Sequence, residues 1–387
     1  MPRHDFQPPG AFFQNINSLI HEEPFGSILY CVYWSVVIGV CSPIAILLLQ
    51  LRLLFRLLGW VWESVCQYSS CDPKRHPTRE LAVVITGCDT GFGRDVALRA
   101  AEAGYTVFAG CLKDESVTEL NQLSSNINSF TMNVTIDVHV EKAVHIVSQW
   151  LDETTTQQRI LHALVNMAGV GFCGNVDFMP LNLFQTSMDV NFFGTVRCCK
   201  AFLPIFKSQA TSNTYNDARI LNMVSMAGLV PTSVGTSAYA ASKYAVQGFS
   251  TAFRLEAMGF GIQVATINPS FHETNIVTGL STQVEKLCAD LPGAKREEYG
   301  EEYLEWLLTQ TRIPLLISWR AENVVQQTMN CLVNRTIPSE VVVGSDAKFV
   351  LVTLRIFPAW FRDILFGIDS LRYAVPASMR RRKAKSD

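Results

Sequence analysis

Charge is scarce in this chain. Only 17% of its 387 residues are charged, and the formal net charge is −2. Without a cationic excess there is no reason to propose nucleic acid as a partner. Paired cysteines are missing too. The 11 cysteines are scattered, which excludes the close spacings of a disulfide framework or a structural zinc site and fits a reducing compartment. The 7 histidines form no metal-binding cluster, so no metal is expected, and His272 is read as structural. Apart from an alternation of strands and helices, no internal repeat appears, and no low-complexity tract. Solenoid and fibrous architectures are thereby excluded.

What the chain does have is an uncharged run from Phe25 to Leu49. At 1.5 Å per residue, a helix over that run spans a hydrocarbon core of about 30 Å. Pro43 is a kink point. Tyr30, Tyr33 and Trp34 at one end, and Trp60 and Trp62 beyond the other, suit membrane interfaces. Leu51 to Trp62 sets Arg52 and Arg56 among leucines, as in a helix lying in the interface. A buried core helix is the alternative, against which length and all-round apolarity argue. Glu22 and Glu23 precede the run, while Arg52, Arg56, Lys74, Arg75 and Arg79 follow it. Positive charge stays on the cytosolic side, so the remainder of the chain is expected there.

Leu81 to Thr86 is a short apolar, β-branched run, read as a buried parallel strand. Thr86-Gly87-Cys88-Asp89-Thr90-Gly91-Phe92-Gly93 follows at once, and Arg94 to Ala103 has helical spacing. Strand, glycine turn and helix together form the context of a dinucleotide fingerprint. Gly87 and Gly91 permit backbone conformations closed to other residues, and Gly93 permits close helix packing. A tight strand-to-helix turn without a ligand is the alternative.

Tyr239-Ala-Ala-Ser-Lys243 places a phenol and an amine one helical turn apart. An ammonium beside a phenol favours the phenolate and is expected to lower its pKa. Such a phenol exchanges a proton with an alcohol near neutral pH. Ser225 stands fourteen residues before Tyr239. An isolated Tyr-x-x-x-Lys is more often a surface pair, so the weight lies on several motifs arriving in one order.

That order resembles the short-chain dehydrogenase/reductase family. The glycine loop is similar to that of the subset holding retinol dehydrogenases, 17β-hydroxysteroid dehydrogenase type 2 and 3-hydroxybutyrate dehydrogenase. The resemblance covers roughly residues 80 to 345. It runs through Asn166-Met167-Ala168-Gly169, Asn191-Phe-Phe-Gly194, Asn222-Met-Val-Ser225, Tyr239 with Lys243, and Asn268-Pro269-Ser270 with Thr274. Met167 and Ser270 depart from the family pattern. The implied fold is α/β, a doubly wound parallel sheet of Rossmann type, with an N-terminal transmembrane helix and a C-terminal lipid-surface extension. The implied catalytic residues are Asn191, holding a proton-relay water, Ser225, Tyr239 and Lys243. The implied cofactor contacts are Thr86, Gly87, Asp89, Gly91, Phe92, Gly93, Asn133, Val134, Asn166, Ala168, Gly169, Pro269 and Thr274, with Tyr239 and Lys243.

Cofactor choice depends on charge near the adenosine ribose. Asp114 falls late for the acidic residue expected with NAD, yet Thr90 is neutral and no arginine is well placed. NAD is therefore expected over NADP. Beyond Thr274, Leu291-Pro292 to Tyr299-Gly300 resembles a stretch of the retinol and steroid subset. Leu304, Trp306, Leu307 and Leu308 are either pocket-lining or ordinary helix-packing residues. Val350 to Tyr373 mixes Trp360, Phe361 and Phe366 with Arg355, Arg362 and Asp363, and is read as a lipid-surface element. Lys383 and Lys385 resemble an endoplasmic-reticulum retrieval signal, with a solvated basic tail as the alternative.

Three parts are expected: residues 1–79 as tail, anchor and linker, 80–345 as catalytic domain, and 346–387 as membrane-surface segment and tail. The expected activity is hydride transfer between a nicotinamide cofactor and an apolar alcohol or ketone, such as a steroid or retinoid. A 3-hydroxy-acid dehydrogenase and a catalytically silent cofactor-binding membrane protein are the alternatives. Expected partners are that substrate, membrane lipid and, as an open option, a second copy in a homodimer. The expected location is the endoplasmic-reticulum membrane, with the mitochondrial membrane as alternative.

Overall fold

Apolar runs such as Leu81–Ile85 and Ile160–Val165 are buried on both faces, which suits strands covered by helices above and below. The computed structural model describes residues 79–153, 156–212, 215, 217–230, 234–348 and 354–364. The expected membrane span Phe25–Leu49, the stretch to Trp62 and the basic tail with Lys383 and Lys385 lie outside them. Among the described residues no helix is long and apolar enough to cross a membrane.

Seven strands form one sheet: β1 (Arg79–Thr86), β2 (Thr106–Cys111), β3 (Ile127–Thr131), β4 (Gln158–Asn166), β5 (Arg219–Met223), β6 (Gln263–Pro269) and β7 (Glu340–Val343). Their spatial order is β3-β2-β1-β4-β5-β6-β7, and every neighbouring pair is parallel. The chain steps outward one way from β1 and the other way from β4. Right-handed crossovers therefore place helices on both faces and leave a crevice beyond the carboxyl ends of β1 and β4.

The first connections are α1 (Gly91–Glu102), α2 (Asp114–Leu123) and α3 (Asp137–Asp152). Between β4 and β5 run α4 (Leu181–Ser187), a π-helical stretch (Met188–Phe193) and α5 (Gly194–Thr211). Then come α6 (Ser237–Met258), α7 (Asn275–Ala289), α8 (Gly293–Tyr299), α9 (Glu301–Ile317) and α10 (Glu322–Val333). Helix α1 packs beside α10, and α3 beside α5.

Several polar groups inside this core are hydrogen-bonded to one another. Asn166 Nδ2 donates to Asn222 Oδ1 at 2.8 Å, and Asn222 Nδ2 donates to Ser250 Oγ at 2.8 Å. This ladder joins β4, β5 and α6 just below the crevice. The seven described cysteines are free and buried, and burial pushes thiols such as Cys111 and Cys198 up to about 12. They behave as small apolar side chains rather than nucleophiles.

Candidate active site

The crevice begins where β1 stops. Thr86 Oγ accepts from the backbone N–H of Met167 and of Ala168, both at 3.1 Å, so the ends of β1 and β4 are held together. Gly87 then turns with φ +72°, and a Cβ there would sit 2.7 Å from Ala168 Cα. Gly91 has φ +61°, and a Cβ on Gly93 would collide with the Gly87 carbonyl. These glycines are needed for conformation and for close approach. Helix α1 has no acidic residue in its first turn, and Thr90 makes no side-chain cap. Its first N–H groups are open to an anion such as a pyrophosphate.

Above this loop lies a cleft of about 740 Å³. Gly87, Asp89, Gly91, Phe92 and Gly93 line it from the loop, Asn133 and Val134 from beyond β3, and Ala168 and Gly169 from beyond β4. Ser225 enters from the end of β5, Tyr239 and Lys243 from α6, and Pro269 and Thr274 from beyond β6. The volume, the bare glycine cradle and the open helix terminus fit a dinucleotide.

Thr86, Asn166 and Asn191 stand behind the wall rather than in it. Asn191 is buried in the π-helical stretch. Its Oδ1 accepts from Val170 N at 2.8 Å, and its Nδ2 donates to Val170 O and to Ser242 Oγ, both at 2.9 Å. Ser242 Oγ in turn donates to Tyr239 O at 2.7 Å. Both Asn191 donors are thus committed to joining the loop after β4 to α6, and only Oδ1 could face a water.

Asp89 has a different use from a simple wall residue. Its two carboxylate oxygens accept from Leu112 N at 2.8 Å and Lys113 N at 2.9 Å. A carboxylate therefore sits at the end of β2, where the sequence pattern points to Asp114. Asp114 turns away to accept from Thr131 Oγ. Asn133 Oδ1 accepts from Thr135 N at 3.0 Å and from Thr135 Oγ at 2.8 Å, forming a local turn at the cleft wall.

Tyr239 and Lys243 share one face of α6, as their spacing requires. The Lys243 Nζ donates to Met223 O at 3.0 Å and lies 5.8 Å from the centre of the Tyr239 ring. Ser225 Oγ accepts from Ala227 N at 3.1 Å. Tyr239 remains partly exposed along the cleft. The expected lowering of its pKa is not what the free protein shows. Burial pushes the phenol above its ordinary range, and a hydrogen bond with Ser225 opposes that push. Lys243 is only 3% exposed, and burial pushes its own amine down to about 8. Desolvation by the surrounding protein is the larger cause at Tyr239 and the cause at Lys243.

Residues that line the cleft without having been singled out include Met132, Phe271, Ile276, Val277 and Leu280. The last three come from α7 at helical spacing, which is the signal that could have found them. Leu304 and Leu307 instead belong to a separate buried cluster with Cys173, Val284, Cys288, Leu291 and Tyr303, against which Trp306 and Leu308 also pack. They are packing residues of the α7–α9 segment.

Residues 81–285, more than half the chain, match the family model described as short chain dehydrogenase. Estradiol 17-beta-dehydrogenase 2 of Mus musculus is 34% identical over 274 residues, covering 69% of this chain and 68% of that protein. Retinol dehydrogenase 5 of Mus musculus is 30% identical over 293 residues, covering 74% and 88%. The mitochondrial D-beta-hydroxybutyrate dehydrogenase of Bos taurus is 32% identical over 239 residues, covering 59% and 66%. Among solved structures, 3-ketoacyl-(acyl-carrier-protein) reductase from Brucella melitensis, complexed with NADH, shares the fold. Its TM-score is 0.54 and its identity 19%, over 69% of this chain and 97% of that one. The chain belongs to the short chain dehydrogenase family. It is an oxidoreductase of the nicotinamide-dependent class that acts on CH–OH groups.

The buried amine makes a prediction about stability. Lys243 titrates near 8 in the folded chain and near 10.5 when unfolded. The folded state therefore binds fewer protons between those values, and stability rises with pH across that window. Below about pH 8 the penalty for burying the charge is felt in full, about 3 kcal/mol at most. Lys243→Met should raise the thermal midpoint at pH 7 by several degrees. The two proteins should converge near pH 10. Differential scanning calorimetry across pH checks this, and a gap that stays constant with pH would contradict it.

Proposed function

We propose that this protein is a membrane-attached dehydrogenase moving a hydride between NAD and an apolar alcohol or ketone of the steroid or retinoid class. The observation that carries the reading is the meeting of Ser225, Tyr239 and buried Lys243 in one cleft with the glycine loop. The apolar side chains Ile276, Val277 and Leu280 on the lid side favour a lipid-like substrate. So does similarity to proteins named for estradiol and retinol.

In this reading Tyr239 takes the hydroxyl proton as general base. Ser225 hydrogen-bonds the substrate oxygen and holds it at the phenol. Lys243, anchored by Met223 O, presents its charge beside Tyr239 and binds the nicotinamide ribose. Asn191 keeps the loop after β4 and helix α6 in register. A bound oxidised nicotinamide supplies the hydride acceptor and, being cationic, a charge that favours the phenolate. Alcohol oxidation should therefore quicken as pH rises through the Tyr239 pKa, and ketone reduction should slow.

The 3-hydroxy-acid alternative needs a cation for the substrate carboxylate. Among the described cleft-lining residues the lysines and arginines are Lys113, at the β2 end, and Lys243. Neither is free to serve a carboxylate beside Tyr239. The silent-scaffold alternative draws on Met167 and Ser270. Met167 keeps its backbone bond to Thr86, and Ser270 Oγ donates to Asp346 at 2.9 Å, so neither displaces Tyr239 or Ser225.

Preference for NAD over NADP is supported by Asp89. Its carboxylate occupies the N–H groups at the β2 end that would otherwise greet a 2′-phosphate, and it repels that phosphate. Membrane attachment through Phe25–Leu49, with the catalytic residues 80–345 cytosolic at the endoplasmic reticulum, follows from the flanking charges. The 346–387 segment is read as lying on lipid. Ile356, Trp360 and Ile364 are 52%, 53% and 40% exposed there, and Arg355 pins the segment to Glu340 at 2.8 Å. The cytosolic side also suits Asn133, since a glycan on that cleft-wall residue would fill the cofactor site. The mitochondrial name of one relative keeps the other membrane in view.

Tyr239→Phe should lower turnover by at least about 10²-fold, the scale of general-base catalysis, while leaving the NADH dissociation constant within a factor of about two. Substantial residual activity in steady-state assays with steroid and retinol panels would sink the mechanism. Wild-type enzyme should show a higher kcat/KM with NAD than with NADP. Leu112→Arg, at a position 61% exposed, should move the ratio toward NADP about tenfold. An unmoved ratio would place the ribose elsewhere. Protease added to sealed microsomes should digest residues 80–345, and the N-glycosylation sequons Asn133-Val134-Thr135 and Asn334-Arg335-Thr336 should carry no glycan. A protected domain would reverse the orientation.

A further inference from the structure

Helix α7 lies against the loop that follows β4. Cys173 N donates to Gln283 Oε1 at 3.0 Å, and Gln283 Nε2 donates to Cys173 O at 3.2 Å. One side-chain amide thus grips one residue of the loop at both backbone groups. Ile276 stands seven residues before Gln283, about two turns along the same face of the helix. It meets the same loop at Gly171, and both residues line the cleft together with Tyr239.

Space, not conformation, makes residue 171 a glycine. It is not among the glycines of positive φ, so its backbone is open to alanine. A Cβ there would nevertheless come 2.6 Å from Ile276 Cγ2. The same Cβ would stand 3.8 Å from Cδ2 and Cε2 of Tyr239, an ordinary contact. Cε2 is bonded to the ring carbon that carries the hydroxyl. That point is therefore bounded by Ile276 on one side and by the reacting end of the phenol on another. Isoleucine in a helix is stiff at χ1, and Gln283 holds the helix to the loop, so the Ile276 methyl has little freedom to withdraw. A carbinol carbon at Tyr239 turns its hydroxyl to the phenol and one hydrogen to the nicotinamide. Its remaining substituents are hydrogen and carbon in a primary alcohol, and both carbon in a secondary ring alcohol. Bulk beside the phenol separates the two kinds of substrate.

We propose that Gly171 and Ile276 are a specificity-determining pair that fixes how much carbon a carbinol centre can carry beside Tyr239. The missing side chain of one leaves the space, and the methyl group of the other limits it. This rests on the reading that the cleft oxidises apolar alcohols. Any methyl group added at 171 drives Ile276 toward the substrate, and trimming Ile276 gives the space back.

Full-length protein in detergent is assayed with NAD and two probes, estradiol as a secondary ring alcohol and all-trans-retinol as a primary allylic one. Gly171→Ala should lower the estradiol-to-retinol ratio of kcat/KM by about tenfold, the scale of one misplaced methyl group in an apolar pocket. Ile276→Ala alone should raise that ratio by a similar factor, and should admit estradiol if the wild type oxidises retinol only. The double variant should return to within about threefold of wild type. The collision is also read without turnover. Gly171→Ala should lower the thermal midpoint more beside Ile276 than beside Ile276→Ala. A ratio that neither single variant moves, or an equal midpoint drop in both backgrounds, overturns the proposal and leaves the apolar-alcohol reading standing. A wild type that oxidises neither probe overturns both.

Discussion

A lysine ammonium with water withdrawn from it is the constraint around which this cleft is built. Lys243 Nζ donates to the Met223 carbonyl at 3.0 Å. Glycines pack closely around this residue: a Cβ on Gly228 would come 2.7 Å from the Lys243 backbone carbonyl, and one on Gly169 would come 3.2 Å from Asn191 Oδ1. Ser242, buried beside it, is pinned by Asn191. Residues from the ends of β4 and β5, from α6 and from the π-helical stretch therefore all answer to one amine. A structure selected for stability alone would place an apolar residue here. The buried charge stands beside Tyr239, the general base of the proposed reaction.

The sheet supplies the other half of the arrangement. Its order reverses between β1 and β4, and the two strand ends are tied by Thr86. The glycine loop can then approach Ala168 closely while the first N–H groups of α1 stay uncapped. In the proposed reaction, pyrophosphate binding at one end and proton transfer at the other would be separated along one cleft. In the free protein the Tyr239 phenol is pushed up, against the need of a general base. An oxidised nicotinamide held in the cleft would add positive charge near the phenol, and the basicity of Tyr239 would then rise with cofactor occupancy.

Much of this was legible in the order of residues, because local chemistry writes it there. The run Leu81–Thr86, the glycines after it and the helix that follows need no long-range knowledge. Nor does the one-turn spacing of Tyr239 and Lys243. What resisted reading depends on which surfaces meet. Leu304 and Leu307 are as apolar as Ile276 and Val277, yet the first pair packs in the cluster with Cys288 and the second lines the cleft. Asp89 and Asp114 are both candidates for the β2 end, and only the turn geometry assigns Asp89 to the Leu112 and Lys113 amides. The raised Tyr239 pKa escaped reading because spacing reports a neighbour's charge and not burial. The Nε2 of His272, unpartnered among the described residues, is likewise visible only once the surrounding chain is folded.

Direct hydride transfer inside this cleft is the central claim, and an isotope tests it most directly. An apolar secondary or allylic alcohol carrying deuterium on its carbinol carbon is supplied to the full-length protein with NAD in ordinary water. The reduced nucleotide is then analysed by mass spectrometry and proton NMR. The account predicts one deuterium per reduced nicotinamide, at C4 and on a single face, with none exchanged with solvent. Reduced nucleotide without the label, label spread over both faces, or oxidation that leaves NAD unreduced would contradict it.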